Sequence, residues 1–261
     1  MAARLITIPF SHFCEKARWS LDLAGVAYRE EGHLPLVHRL PVRRAGGRQS
    51  VPVLAFEDGT ALGDSSRILR FADAAAPPEH KLFPADGRMR DEALGFERHL
   101  DVDFAPHVRR FAYFHILPSR ETTFRLFERQ TPRHEQVLVG AIFPLLRAMM
   151  RRFMTIDERH ALASRDALRR VFDDVGRRIE GRRYLFGERL GVADVTFAAF
   201  AAPLLLPPEH PVTSALFEHL DSFAPPFADE VRALRRSPAG VFALRLYREH
   251  RTTVARTRLS A

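Results

Sequence analysis

The hydrophobic pattern of this chain changes period at a single proline-rich stretch, and that change limits the folds available to it. Before residue 76, short strand-like runs take turns with helical runs; after residue 87, every periodic segment repeats at helical spacing. Between the two lie Pro77, Pro78, Pro84 and Gly87 with few apolar side chains, the composition of a linker. A chain patterned this way does not build one sheet along its whole length. The pattern predicts a small α/β unit over residues 1–76, a linker over 77–87 and an all-helical unit over 88–261.

In the first unit, residues 4–8 read as a strand. Residues 13–24 read as a helix with Phe13, Ala17, Leu21 and Ala24 on one face, closed by Gly25. A second strand follows over 27–33. Residues 34–47 are basic, carry two prolines and end in Gly46-Gly47, which predicts a loop with a short helix. Strands over 53–56 and 60–62 flank Asp58-Gly59, a hairpin signal, and a helix follows over 65–75. The predicted order is β-α-β-(α)-β-β-α.

In the second unit, Ala93, Phe96, Leu100, Phe104, Val108 and Phe111 set a helical repeat over 89–116, which Pro106 should kink or break. Residues 119–132 read as polar and irregular, with amphipathic helices at 137–153 and 165–179. The stretch 119–158 is expected to form an extended helical hairpin. Residues 192–206 are apolar on nearly every side, which predicts a helix buried on all faces. Two or three short helices and a basic, frayed tail after His250 complete the expectation.

An apolar fraction of 46% is enough for a sizeable core. The longest apolar runs are too short to cross a bilayer, and the first residues lack a charged-then-apolar leader pattern. The expectation is a soluble, cytoplasmic protein without a membrane partner. A single cysteine, Cys14, excludes an internal disulfide framework and a cysteine-based zinc cluster. The net charge is +8 and the pI about 10.6. Lys16 and Lys81 are the only lysines, and the arginines are spread along the chain, so nucleic-acid binding is not expected. His99, Asp103 and His107 lie on one predicted helix face, but the two histidines stand two helical turns apart and Pro106 distorts the spacing. No metal site is expected.

Three short segments carry chemistry. Ser11 sits where a strand meets a helix start, whose free N–H groups and dipole stabilise a thiolate. Its hydroxyl suits a hydrogen bond to sulfur, and equally a plain N-cap. Cys14 falls in the first helical turn, where it either packs or reacts. Asp64-Ser65 opens another helix, a place for anion binding or for capping. Val51-Pro52 precedes a strand, as a turn or strand start allows.

In that order, Ser11-His12-Phe13-Cys14, Val51-Pro52 and Asp64-Ser65-Ser66 resemble the glutathione-binding half of the glutathione S-transferases. Residues 187–194, Gly-Glu-Arg-Leu-Gly-Val-Ala-Asp, resemble the capping-box segment of their helical half, with Gly191 where serine or threonine is usual. The resemblance implies a thioredoxin-like α/β N-terminal domain followed by an all-α helical bundle. It further implies a homodimeric detoxification enzyme that uses glutathione as co-substrate and activates its thiol near Ser11 for attack on a small apolar electrophile. The Val51 backbone, before a cis Pro52, would pair with the cysteinyl part, and Asp64 and Ser65 would hold the γ-glutamyl end. Arg48 is the first choice for the glycyl carboxylate, with Gln49 and His38 beside it and Arg39, Arg43 and Arg44 in competition. Phe10, Phe13, His107, Phe111 and His115 are the expected wall of the electrophile pocket. Asp194 is given a folding role. Two alternatives stand: a non-catalytic adaptor on the same fold with a protein or nucleic-acid partner, and a glutathione-dependent thiol oxidoreductase working through Cys14.

Overall fold

The structure is a computed structural model, described here for residues 3–251. Its N-terminal part is a four-stranded sheet in the order β2-β1-β3-β4. Strand β1 (Ala3–Thr7) runs parallel to β2 (Tyr28–Gly32) and antiparallel to β3 (Val53–Ala55), which pairs antiparallel with β4 (Ala61–Gly63). Helix α1 (His12–Leu23) makes the crossover between the parallel strands, α2 (Arg39–Arg44) lies in the long connection, and α3 (Ser65–Ala75) follows the hairpin. Alternation along β1 divides the core in two. Leu5 packs with Ala17 and Leu21 of α1 and Ile68 and Ala72 of α3, while its neighbour Ile6 packs on the other face with Val42 of α2. The predicted hairpin turn holds: Gly59 takes φ +82°, and the Asp58 carboxylate accepts from the Thr60 amide at 2.8 Å.

The remainder is helical: α4 (Gly87–His99), α5 (Ala105–Ile116), α6 (Arg120–Phe127), α7 (Arg133–Ala141), α8 (Phe143–Phe153), α9 (Glu158–Arg178), α10 (Val192–Leu205), α11 (Ser214–Phe217), α12 (Pro225–Arg236) and α13 (Pro238–Leu246). The break expected near Pro106 is a π-helical step over Leu100–Phe104, after which Pro106 sits in the first turn of α5, where its missing N–H costs nothing. Residues 119–132 are not irregular. The Ser119 hydroxyl caps α6 through the Thr122 amide at 3.1 Å, and Leu126 and Phe127 are buried by the bundle. The single helix expected over 137–153 is two, divided at Ile142 with Pro144 in the first turn of α8. Helix α9 begins earlier than expected, at Glu158, because Asp157 caps the His160 amide at 2.9 Å. The hairpin expected over 119–158 is therefore three helices. The tail expected to fray beyond Arg251 lies outside the described residues.

Helix α10 is the axis of the bundle, with every residue but Pro203 buried. Asp194 starts it, accepting from the Gly191 amide at 2.7 Å and the Leu185 amide at 2.8 Å. Burial pushes its carboxyl up to about 7 against the pull of those two amides. Helix α1 lies across α10, with the Phe13 and Phe200 ring centres 5.0 Å apart. Arg251, the last described residue, reinforces this junction: buried, it donates to Glu15 and Asp22 of α1, each at 2.7 Å. No helix among the described residues is long and apolar enough to cross a membrane.

Candidate functional site

The sheet register gathers the three chemistry-bearing segments. Ile6 faces Val53, and Val53 faces Gly63, so the loop leaving β1, the start of β3 and the end of β4 share one end of the sheet. Ser11 leaves that loop with its amide bonded to the Ile8 carbonyl at 2.9 Å. The Val51–Pro52 bond is cis, and the Pro52 carbonyl accepts from the Asp64 amide at 3.3 Å. Helix-start serine, cis-proline and Asp-Ser pair thus belong to one surface.

Ser11 is half-buried at the N-cap of α1, with φ −75° and ψ 125°, and its side chain makes no capping bond. The hydroxyl is not spent on the helix amides; its partner within α1 is the Cys14 thiol. Cys14 is fully buried, and burial pushes its thiol up to about 11, outweighing Arg18, the Ile8 backbone and the Ser11 hydroxyl, which favour the thiolate. Full burial and a pKa pushed up both weigh against the alternative of a reactive Cys14.

Asp64 takes φ +80° and ψ 131°, a strained backbone for a side-chain-bearing residue. Its Oδ1 accepts from the Ser66 and Arg67 amides at 2.9 and 3.2 Å, while Oδ2 makes no hydrogen bond among the described residues. Ser65 is buried in the first turn of α3, and its hydroxyl also makes none among the described residues. Asp64 is thus both a cap and a source of one free carboxylate oxygen beside an unengaged hydroxyl. Arg48 and Gln49 are exposed in the loop before Pro52, and His38 Nε2 meets the Gln49 carbonyl at 3.2 Å.

Behind this surface lies a buried ionic cluster that sequence reasoning missed. Lys16 Nζ donates to Glu97 at 2.5 Å, to Asp101 at 2.9 Å and to Ser66 Oγ at 2.9 Å. Ser66 Oγ lies within hydrogen-bond distance of the same two carboxylates and donates its single hydrogen to one of them. Burial pushes both carboxyls up; at Glu97 the Lys16 ammonium overcomes it and the group lies below its ordinary range, whereas Asp101 lies above. The cluster clamps the first turn of α3 to α4 and the π-helical step. Its only trace in the sequence is a lysine retained where nearly all other cations are arginine.

The expected electrophile wall is largely displaced. His107 Nδ1 meets Ser164 of α9 at 3.1 Å, Phe111 lies 5.9 Å from Phe227 of α12, and His115 packs on Phe111 and Phe227. Burial pushes His115 down to about 4, in keeping with a neutral packed ring. These residues form the face of α5 turned into the bundle. Phe13 packs on Phe200 of α10. Only Phe10 of the expected set borders a cavity beneath the start of α1, where the opposite face of α5 contributes Arg109, Ala112, Tyr113 and Ile116. That cavity is about 30 Å³. Two larger grooves, about 720 and 680 Å³, follow the linker and residues 184–191, and none of Ser11, Val51, Pro52, Asp64 and Ser65 lines either. His99 pairs with Asp103 at 2.9 Å, apart from His107, and no group of three metal-ligating side chains converges among the described residues.

The comparisons with known proteins follow the same division. Residues 5–80 match the model of the glutathione S-transferase N-terminal domain, and residues 134–225 match that of the glutathione S-transferase C-terminal domain. No curated protein matches the chain. Among solved structures, a glutathione S-transferase from Xanthobacter autotrophicus Py2 superposes with a TM-score of 0.58 at 17% identity, covering 94% of this chain and 91% of its own. One from Pseudomonas fluorescens Pf-5 gives 0.58 at 18% identity, covering 96% of each. One from Methylobacillus flagellatus KT, with glutathione bound, gives 0.53 at 15% identity, covering 93% of this chain and 98% of its own. At these identities the likeness establishes the fold.

Proposed function

This chain belongs to the glutathione S-transferase family, and from that premise we propose that it binds glutathione at the sheet end shared by Ser11, Val51 and Asp64-Ser65 and promotes its transfer to a small electrophile. The observation that carries the proposal is the convergence of those residues, two of which keep polar groups unengaged. Glutathione supplies the thiol nucleophile when bound.

The chain's own groups have separable tasks. The Val51 backbone, presented before cis-Pro52, pairs with an extended peptide as a short added strand. The Ser65 hydroxyl in the first turn of α3 takes a carboxylate, where the helix start favours an anion. Asp64 Oδ2 is free to accept from an ammonium. Arg48, with Gln49 beside it, reaches the glycyl carboxylate from the exposed loop. Ser11, released from capping, donates to sulfur. Lowering a thiol pKa by two units needs about 2.7 kcal/mol of preference for the thiolate, and one hydroxyl together with the helix start supplies part of that. Cys14 has no chemical role. The enzyme acts in the cytoplasm as a homodimer, its units divided near residues 77–87.

A second reading, a non-catalytic adaptor, is favoured by one observation. Val137 and Phe153 stand 75% and 76% exposed on α7 and α8, a surface suited to a protein partner. Ultraviolet difference titration of the bound thiol separates the two readings. A transferase shows a thiolate band at neutral pH that moves to higher pH in Ser11→Ala; an adaptor shows no such band.

A further inference from the structure

The cavity beneath the start of α1 is small, but its walls are unusual. His12, Arg109 and Thr213 line it, and His12 Nε2, Arg109 Nε and Thr213 Oγ1 have no hydrogen-bond partner among the described residues. His12 and Thr213 are only 4% and 3% exposed. A buried polar atom left unpaired costs about 1–3 kcal/mol, and residues carrying three such atoms line this one space. Arg109 makes no ion pair among the described residues.

The charge balance of the cavity has one sign. Among the described residues no carboxylate lines it, and the Arg109 guanidinium is the only formal charge. Burial, then Arg109, pushes His12 down to about 3, so the ring adds a hydrogen-bonding nitrogen and no charge. The remaining wall is apolar, with Phe10, Ala112 and Leu126 contributing to it. A volume of about 30 Å³ accommodates one water or a single carboxylate head and excludes a larger group. Phe10 and His12 flank Ser11 in the chain, so the cavity adjoins the place assigned to the sulfur.

We propose that this cavity anchors a carboxylate carried by the electrophile, with Arg109 as the specificity-determining cation and Thr213 as a second donor. The inference rests on the glutathione-transferase reading and narrows it: the co-substrate has an apolar body outside the cavity and an anionic end at Arg109. It replaces the expectation of a purely apolar electrophile. Guanidinium and carboxylate match in charge and planar geometry, and the apolar wall keeps competing water away.

The test compares S-benzylglutathione with its meta- and para-carboxybenzyl counterparts by calorimetric titration. In the wild type, at least one carboxylate conjugate should bind roughly tenfold more tightly than S-benzylglutathione. Arg109→Leu should abolish that advantage, read as the ratio of the two affinities within the variant, while Arg109→Lys should keep part of it. Equal affinities in the wild type, or an advantage that survives Arg109→Leu, would overturn the inference and leave glutathione binding standing. If no conjugate binds, the glutathione reading falls and takes this inference with it. The wild-type comparison decides even if a variant fails to fold.

Discussion

Along α1, Glu15, Arg18 and Asp22 are fully buried and each has a charged partner, while one turn earlier His12 is buried beside Arg109 and Thr213, each with one polar atom that has no partner among the described residues. Arg251 reaches both acids, and Arg18 bonds Glu30 at 2.8 Å as well as Glu15. Burial pushes Glu15 up, yet Arg251, His210 and Arg18 together hold it far below the usual carboxylate range. The difference separates polar groups that hold the two units together from those kept open for a ligand. A buried ionic group is tolerated when its charge is paired, as at Arg251, even though Arg251 Nη2 itself has no partner among the described residues.

The comparison breaks most visibly at Arg251. Arg251→Ala leaves Asp22 and Glu15 buried short of a cation, and a loss of about 3–5 kcal/mol in urea unfolding is expected. A loss below about 1 kcal/mol would mean the satisfied end is no lock.

The next effect is a pH slope from Cys14. Its folded pKa, about 11, exceeds that of an unfolded thiol, so its contribution is fully present below the unfolded value and is lost as pH rises through the folded one. Unfolding free energy should fall by on the order of 2–3 kcal/mol between about pH 9 and 11. Cys14→Ala should flatten that part of the curve. An unchanged slope would show that the thiol is not shielded.

Asp194 extends the satisfied class into the helical unit. Asp194→Ala orphans the Leu185 and Gly191 amides and should cost about 2 kcal/mol in thermal unfolding. At the open end the expectation reverses. Thr213→Val removes a hydroxyl that has no partner, so stability should change by less than about 0.5 kcal/mol. A larger loss would mean that Thr213 is bonded, and would weaken the distinction.

What could be read in advance was local. A strand end, a helix start and a hairpin each leave a mark within a few residues, so Ser11, Val51-Pro52 and Asp64-Ser65 were legible, and the sheet register then brought them together. The same locality made Asp194 legible beside Gly191. What escaped depends on distant partners. Lys16 meets Glu97 and Asp101 more than eighty positions away, and nothing near Lys16 announces them. Helical spacing put His107, Phe111 and His115 on one face of α5 but could not say which face meets the other unit, so Arg109 and Tyr113 were passed over. Helix α6 was read as irregular because its sequence is polar, whereas the burial of Leu126 and Phe127 against the bundle outweighs that propensity.

The most direct test of the central claim is calorimetric titration of the wild type and Ser65→Ala with glutathione near neutral pH. One saturable site per chain is expected, weakened roughly tenfold in Ser65→Ala with an unchanged melting temperature. No saturable heat up to millimolar glutathione, or equal affinity in the two proteins, would contradict the placement of glutathione at this end of the sheet.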